Sequence, residues 1–150
     1  MEMFEDLPID SFRAEYAFLS NFYPCPISYK GNVYPTLENA YQAAKFQDPR
    51  TRGAFVNCPP GIAKRKARFY VRRDDWEDVK VTVMGALLRE KFSPADNPEL
   101  CKMLLSTGSR KLIEGNTWGD TFWGVCNGQG DNMLGVLLMQ VRDRVRAARR

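Results

Sequence analysis

The apolar positions of this chain recur mostly with the three- and four-residue spacing of an α-helix. The most regular stretch is DDWEDVKVTVMGALLREKF, whose shared apolar face consists of Trp76, Val79, Val83, Ala86 and Leu87, with Asp74 or Asp75 as cap. The final stretch, from about Met133 to Val145, repeats the pattern at Leu134, Leu137, Leu138, Val141 and Val145. Amphipathic helices of this kind bury one face. Both stretches are therefore predicted to be core helices.

Capping residues predict four shorter helices. Thr36 suits the start of the helix in YPTLENAYQAAKF, and Asp48 followed by proline starts a second one in QDPRTRGAF. The segment GIAKRKARF is predicted to be a basic helix of low amphipathicity. Asn97 opens the helix PELCKMLLST, which Gly108 ends.

Extended structure is predicted at only two places. PISYKGNVYP contains two short runs, Ile27–Tyr29 and Val33–Tyr34, around a Lys-Gly-Asn turn, which predicts a small hairpin. RKLIEG, residues 110–115, is predicted to be a short strand. No repeat or linker divides the chain. The predicted fold is a mainly α-helical single domain over residues 1–150, with a core of about 18–144 and a small β-hairpin or sheet.

The residue counts narrow the chemistry. The 150 residues include no histidine, which excludes Ser-His and Cys-His nucleophile pairs and histidine-based zinc sites. The four cysteines are Cys25, Cys58, Cys101 and Cys126. They lack the close spacing of a zinc or redox motif. We therefore expect no metal and no cofactor, with proton transfer by carboxylates, lysine, tyrosine or cysteine.

Location and charge give weaker indications. No apolar run approaches a membrane span, and the acidic start MEMFEDLPID lacks a signal region, so a cytoplasmic protein without membrane contact is expected. The net charge is +4, with clusters in KRKARFYVRR and RDRVRAARR. The second cluster suits a solvated helix end. The first is either a solvated face or a contact for phosphate or nucleic acid.

One polar row stands out on the predicted helix that follows Thr36. Glu38 lies in its first turn, and Tyr41, Gln42 and Lys45 follow on the same side at i+3, i+4 and i+7. Such a row can hold a polar ligand. A glutamate in a first turn is also favoured by the helix dipole, however, so helix physics alone does not require a catalytic role.

A second unusual segment is the glycine-rich loop GNTWGDTFWGVCNGQGDN, residues 115–132. It matches neither a dinucleotide-binding nor a Walker motif. The aromatic residues of this loop are Trp118, Phe122 and Trp123. They either stack on a planar base or pack in the core. Asp120 is either a functional carboxylate or a turn residue that accepts hydrogen bonds from local N–H groups.

Three separated motifs together resemble the NADAR family, also called YbiA-like. They are FLSNFYPCPISYKGNVYPTLENAYQAAKF, GNTWGDTFWGVCNGQGDNMLG and LLMQVRDRVR, and DDWEDVKVTVM between them resembles the family's Asp-Trp helix. The resemblance extends from about Phe18 to Arg144. It implies a mainly helical fold and an N-glycosidase activity on ribosyl compounds derived from nucleotides. Known family activities act on phosphorylated ribosylaminopyrimidine intermediates of riboflavin synthesis or release ADP-ribose from modified guanine.

The resemblance also implies site residues. Its catalytic positions match Glu38, Asp120 and Trp123. The substrate-binding positions that it implies are Asn21, Phe22, Lys45, Gly124 and Asn132. Many relatives have histidine directly after the catalytic glutamate, whereas this chain has Asn39, which leaves the substrate choice open.

The implied chemistry suits a chain without histidine. Cleavage of a ribosyl N–C bond builds positive charge at the anomeric carbon, which an ionised Glu38 can stabilise while it orients water. Trp123 would then stack on the departing base, and Asp120 would bind ribose hydroxyls or help to protonate the base. Lys45, Lys64, Arg65 and Lys66 are candidates for binding the phosphate. The expected partner is a phosphorylated riboside, an ADP-ribose-type substrate or ADP-ribosylated nucleic acid. The alternative is a binding module for ADP-ribose or nucleic acid without turnover.

Overall fold

The computed structural model describes residues 7–149. Most of the acidic start and the last residue of the basic tail, Met1–Asp6 and Arg150, lie outside the described residues. The chain forms two compact units. The central unit is Asn21–Lys91, and the terminal unit consists of the chain up to Ser20 and from Phe92 onward. The prediction of a single domain stays a prediction.

The central unit begins with the predicted β-hairpin. Strand β1, Pro24–Tyr29, pairs antiparallel with strand β2, Asn32–Thr36. The connecting residues Lys30 and Gly31 both have positive φ, 49° and 87°, as the tight turn of a two-residue hairpin requires. The predicted hairpin is confirmed, with strands longer than expected because pairing also includes Pro24 with Thr36, at the end away from the turn.

Four helices complete the central unit. In chain order they are α1 Leu37–Ala43, α2 Pro49–Gly53, α3 Pro60–Lys66 with a following 3-10 turn Ala67–Phe69, and α4 Trp76–Lys91. The Thr36 hydroxyl accepts a hydrogen bond from the Asn39 N–H at 3.1 Å, and the Asp48 carboxylate accepts one from the Arg50 N–H at 2.9 Å. These contacts confirm both predicted helix starts.

Helix α4 buries a face that is rotated from the predicted one. The buried residues include Trp76, Met84, Leu87 and Leu88, whereas Ala86 is exposed. The prediction for Ala86 was wrong because α4 packs against both α1 and β1, so two neighbouring elements decide which side is covered.

The terminal unit is also mainly helical. Its elements are a 3-10 helix Ala14–Leu19, α5 Pro98–Ser106, the parallel two-residue strands β3 Gly115–Asn116 and β4 Val125–Cys126, and α6 Met133–Ala148. The strand predicted over residues 110–115 was wrong. Within these residues, Leu112 forms an isolated bridge to Ile9, and Gly115 is the first residue of β3. Ile9 is a single pairing partner, so no longer strand forms around Leu112.

Each unit has its own buried apolar core. The central core includes Ile27, Tyr34, Leu37, Phe55 and Leu88, and the terminal core includes Leu19, Phe92, Leu104, Leu112 and Leu138. Helices contain far more residues than strands, so the predicted mainly α-helical class is confirmed. Within residues 7–149, no helix has both the length and the apolar character needed to cross a membrane.

Candidate active site

Glu38 is a buried carboxylate in the first turn of α1. Its side of the helix is not a solvated surface, because Glu38 is only 8% exposed. Its backbone N–H donates to the Asn21 carbonyl at 3.0 Å, and its Oε2 accepts a hydrogen bond of 2.6 Å from Gln42 Nε2. The predicted i,i+4 alignment therefore exists as a direct contact. A short bond from a buried amide fixes the orientation of the carboxylate.

Lys45 lies just beyond the end of the same helix, on an aromatic surface. Its Nζ is 5.7 Å from the centre of the Tyr41 ring and 6.0 Å from that of the Trp76 ring. These two rings contact each other with centroids 5.1 Å apart. Burial lowers the pKa of Lys45, and the negative charge of Glu38 partly offsets this shift by raising it. Lys45 and Glu38 are thus electrostatically coupled.

Two further cations influence Lys45. The positive charges of Arg72 and Lys64 lower the pKa of Lys45 further, so the three cations act on one another. Lys66, a predicted phosphate candidate, instead donates to the Ala54 carbonyl and lies over the Phe55 ring at 5.0 Å. Lys45, Lys64 and Arg72 therefore form a group of mutually interacting cations, and the charge of Glu38 acts on its member Lys45.

Asn39, which departs from the histidine of many relatives, has a structural role. The residue is fully buried, and its Nδ2 donates to the carbonyls of Phe55 at 2.9 Å and Cys58 at 2.8 Å. Its Oδ1 accepts from the Thr36 hydroxyl at 2.6 Å. These bonds occupy both ends of the amide. Asn39 therefore anchors α1 to the segment after α2.

Asn21 and Phe22, both predicted to bind substrate, lie at the start of the central unit. Asn21 is buried and donates to the Met84 sulfur at 3.6 Å, while its Oδ1 has no hydrogen-bond partner among residues 7–149. The Phe22 side chain is exposed. Substrate binding by these residues stays a prediction.

Asp120 shapes the glycine-rich loop of the terminal unit. Its Oδ1 accepts hydrogen bonds from the backbone N–H groups of Phe122 at 3.2 Å and Trp123 at 2.9 Å. Asn116 holds the Asp120 backbone in turn, donating to its carbonyl at 2.8 Å and accepting from its N–H at 3.1 Å. Asp120 thus has the turn role that the sequence offered as one of its two interpretations. A catalytic role stays a prediction.

The loop aromatics differ in exposure. Trp123 and Phe122 are half-buried and pack edge-to-face with centroids 4.8 Å apart, whereas Trp118 is 55% exposed. Trp123 therefore packs against the Phe122 ring and keeps part of its surface accessible. A partly accessible tryptophan of this kind suits base stacking, and that role stays a prediction.

Gly124 and Asn132 make close protein contacts. A Cβ atom at Gly124 would collide with Glu114 and with the Asn116 amide, which explains the glycine by packing. Asn132 has a left-handed backbone with φ of 53°, its Oδ1 accepts from the Glu114 N–H at 2.9 Å, and its Nδ2 donates to the Leu112 carbonyl at 2.9 Å. Their predicted substrate contacts stay predictions.

The predicted site residues are divided between the two units. The central unit contains Asn21, Phe22, Glu38 and Lys45, and the terminal unit contains Asp120, Trp123, Gly124 and Asn132. Within the central unit, the charge of Glu38 raises the pKa of Lys45. Within the terminal unit, the Asp120 carboxylate accepts a hydrogen bond from the Trp123 N–H.

Sequence reasoning missed two contributors. Arg72 was not singled out within the basic cluster, and Trp76 was assigned only to the core. Both are distant from Lys45 in the chain, so only a folded structure could associate them with it. The described residues contain no group of three or more cysteine, aspartate and glutamate side chains able to hold a metal ion. Metal independence stays a prediction.

Comparison with known proteins gives consistent matches. A family model, NADAR domain, matches residues 10–146. An N-glycosidase YbiA from Shigella flexneri is 40% identical over 135 residues, covering 87% of this chain and 82% of that protein. A riboflavin biosynthesis protein from Vibrio vulnificus is 40% identical over 134 residues, and the match spans 36% of its length. The NMR structure of the Escherichia coli protein YbiA superimposes with a TM-score of 0.82 at 35% identity, covering 96% of this chain and 88% of that one.

Proposed function

This chain belongs to the NADAR family, and we propose that it is an N-glycosidase that hydrolyses the ribosyl N–C bond of a phosphorylated, nucleotide-derived riboside. The observation that carries the proposal is the environment of Glu38. Its carboxylate is buried and oriented by Gln42, and its charge acts on Lys45. A carboxylate near a cation suits a substrate that has a cationic centre in its transition state and a phosphate elsewhere.

The reaction consumes one water molecule. The water oxygen bonds to the anomeric carbon as the C–N bond breaks, and the electron pair of that bond leaves with the base nitrogen. One water proton is transferred to the base, directly or through a carboxylate, and the other remains on the new sugar hydroxyl. Positive charge accumulates on the sugar while the C–N bond breaks, so the transition state resembles an oxocarbenium ion.

Glu38 suits this transition state for two reasons. Its fixed negative charge in a largely water-excluded position is already oriented when positive charge develops on the sugar. It can also accept a proton from the attacking water, which a side chain must do in a protein without histidine.

The cations would bind the phosphate group of the substrate. Lys45 follows Glu38 by seven residues and lies just beyond the end of α1, so side chains from the two positions can approach opposite ends of one ribose phosphate. Lys64 and Arg72 add positive charge at the Lys45 end. Arginine can bind phosphate oxygens in a bidentate manner. An anion there would relieve the mutual repulsion of the three cations.

The name of one relative supports a choice of substrate class. The Vibrio vulnificus relative has a riboflavin biosynthesis name, so a phosphorylated ribosylaminopyrimidine is our first candidate substrate. Guanine modified with ADP-ribose is the second, as the family resemblance implies. The roles that the resemblance gives to Asp120 and Trp123 in this reaction stay predictions.

The test compares the parent protein with Glu38→Gln. Both are incubated with the phosphorylated ribosylaminopyrimidine, with its dephosphorylated form and with ADP-ribosylated guanine, and free base is measured by chromatography. We expect Glu38→Gln to lower turnover by at least about a hundredfold, as removal of one well-placed electrostatic group does elsewhere. Its stability should change by less than about 1 kcal/mol, because the variant keeps the shape and loses mainly a dipole interaction. The parent should show a higher KM for the dephosphorylated form.

The outcomes separate the alternatives. Glu38→Gln with parental turnover and a parental melting temperature would reject Glu38 as the catalytic carboxylate. Stoichiometric, salt-sensitive binding without base release from any probe would support the binding module instead. If Glu38→Gln does not fold, Glu38→Asp decides, because it keeps the charge but withdraws it by one methylene.

A further inference from the structure

The side chain of Gln42 has two ends with different surroundings. Its Nε2 donates to Glu38 Oε2 at 2.6 Å. Its Oε1 is buried and has no hydrogen-bond partner among residues 7–149, and the residue is only 4% exposed. An ionised carboxylate can only accept hydrogen bonds, so the amide must turn its NH₂ group toward Glu38 and its oxygen away. Gln42 Oε1 therefore lacks a hydrogen-bond donor because the other end of the amide is bonded to Glu38.

A buried acceptor without a donor is costly. Such a group destabilises a fold by about 1–3 kcal/mol, and native proteins contain few of them. The Asn21 side-chain oxygen is a second one, on the residue whose carbonyl accepts the Glu38 N–H. Asn21 and Gln42, which are each hydrogen-bonded to Glu38, thus each have a buried oxygen that lacks a donor among residues 7–149. This coincidence indicates that donors come from a molecule bound beside Glu38.

The geometry suits one water molecule at Gln42. The oxygen and nitrogen of one amide are about 2.2 Å apart from their bond lengths, so Gln42 Oε1 lies within about 4.8 Å of Glu38 Oε2. Two hydrogen bonds of about 2.8 Å span up to about 5.5 Å. A single water can therefore donate one hydrogen to Gln42 and the other to Glu38.

We propose that Gln42 is a further catalytic residue, which binds the attacking water through Oε1 while its Nε2 orients Glu38; this inference rests on the proposed N-glycosidase function. With both hydrogens donated, the water directs its lone pairs away from the two side chains, toward the anomeric carbon. As the oxygen attacks, Glu38 accepts one proton, and the leaving nitrogen later takes up one proton. The hydrogen donated to Gln42 stays on the new sugar hydroxyl, so the net reaction consumes one water.

The first experiment uses Gln42→Met, which keeps the length of the side chain but removes the donor and the acceptor. With the phosphorylated ribosylaminopyrimidine as probe, we expect kcat to fall about 10- to 100-fold while KM changes less than about threefold, because the loss concerns the chemical step. Gln47→Met is the matched control. It makes the same substitution on an exposed glutamine of the central unit and should keep the parental kcat.

The second readout is the choice of nucleophile. Methanol has one hydroxyl hydrogen and cannot donate to Glu38 and Gln42 together, so the parent should strongly prefer water over added methanol. Gln42→Met removes one acceptor, and we expect the ratio of methyl riboside phosphate to ribose phosphate to rise several-fold. A purely structural Gln42 would leave this ratio unchanged.

A third variant keeps the inference testable if Gln42→Met does not fold. Gln42→Glu has almost the same shape but places two carboxylates within hydrogen-bond distance, where they share a proton. The acidic limb of its kcat profile should move to higher pH, and Gln47→Glu should not move it.

The outcomes separate this inference from the proposed function. If Glu38→Gln is inactive while the Gln42 variants keep the parental kcat, nucleophile ratio and pH profile, the role of Gln42 is rejected and the proposed function stands. If Glu38→Gln keeps parental turnover, the proposed function itself fails.

Discussion

Two carboxylates, Glu38 and Asp120, were both predicted to be catalytic, but their surroundings in the structure differ. Glu38 accepts a hydrogen bond from a side chain, Gln42, and acts electrostatically on Lys45. Asp120 accepts hydrogen bonds from two backbone N–H groups of its own loop. The first carboxylate is coupled to groups that can act on a ligand. The second determines the path of the chain.

The difference shows why residue type alone does not identify a catalytic group. A carboxylate that caps local N–H groups lowers the cost of a tight loop, and its removal changes the shape of that loop. A carboxylate that is fixed by a side-chain amide leaves the backbone of its helix unchanged when its charge is removed. Substitutions that separate charge from shape therefore distinguish the two roles.

The largest expected difference is in activity. Asp120→Asn keeps an oxygen that can accept from the N–H groups of Phe122 and Trp123, so the loop should persist. We expect its loss of turnover to be at least about tenfold smaller than the loss of about a hundredfold or more for Glu38→Gln. Base release and the melting temperature are measured on both variants.

Asp120→Ala is the control for shape. It removes the acceptor and should lower the free energy of unfolding by about 1 kcal/mol, as loss of a capping side chain does. Equal losses of turnover in Asp120→Asn and Glu38→Gln, both at parental stability, would show that Asp120 also acts in catalysis.

An intermediate effect is expected at Gly124. A Cβ atom there would collide with Glu114 and Asn116, the residues that support the Asp120 loop. Gly124→Ala should therefore lower the free energy of unfolding by about 1–3 kcal/mol, the usual cost of overpacking. Urea unfolding measures this change.

Gly53→Ala is the matched control for Gly124→Ala. Gly53 lies at the end of α2, where an added Cβ meets nothing within 4 Å. Alanine there should be neutral or stabilising by up to about 1 kcal/mol, because it favours the helix. A Gly124→Ala protein as stable as the parent would mean that the loop adjusts without cost.

The smallest expected effect is on the titration of Lys45. Burial lowers its pKa from 10.5, and the charge of Glu38 raises it. In Glu38→Gln the raising charge is absent, so the pKa of Lys45 should decrease further. NMR titration of the lysine side chain, assigned with Lys45→Met, measures the change.

Glu77→Gln is the comparison for the Lys45 titration. Glu77 also raises the pKa of Lys45, but by less than Glu38 does. The decrease in Glu77→Gln should therefore be the smaller of the two. A Lys45 that titrates identically in the parent and in Glu38→Gln would contradict the coupling between Glu38 and Lys45.

Features that depend on neighbours in the chain were predictable from the amino-acid sequence. Thr36 and Asp48 predict helix starts because a capping side chain accepts a hydrogen bond from an N–H group two or three residues later. The periodicity of α6 and the Lys-Gly turn of the hairpin are local in the same way. The motifs indicated the family, and the family model and relatives confirm it. The i,i+4 geometry also predicted that Gln42 could contact Glu38.

Features that depend on residues far apart in the chain became visible only in the folded protein. Burial of the Glu38 row, the anchoring of Asn39 to the segment after α2, and the influence of Arg72 on Lys45 all need several elements to pack together. Ala86 was misassigned for the same reason. Helical periodicity predicts an apolar face, but the elements that pack against the helix determine which residues of that face are buried. The direction of Asp120's carboxylate depends on the exact course of a glycine-rich loop, and glycine permits many such courses. Local patterns therefore specified the elements, and packing gave the two carboxylates their different surroundings.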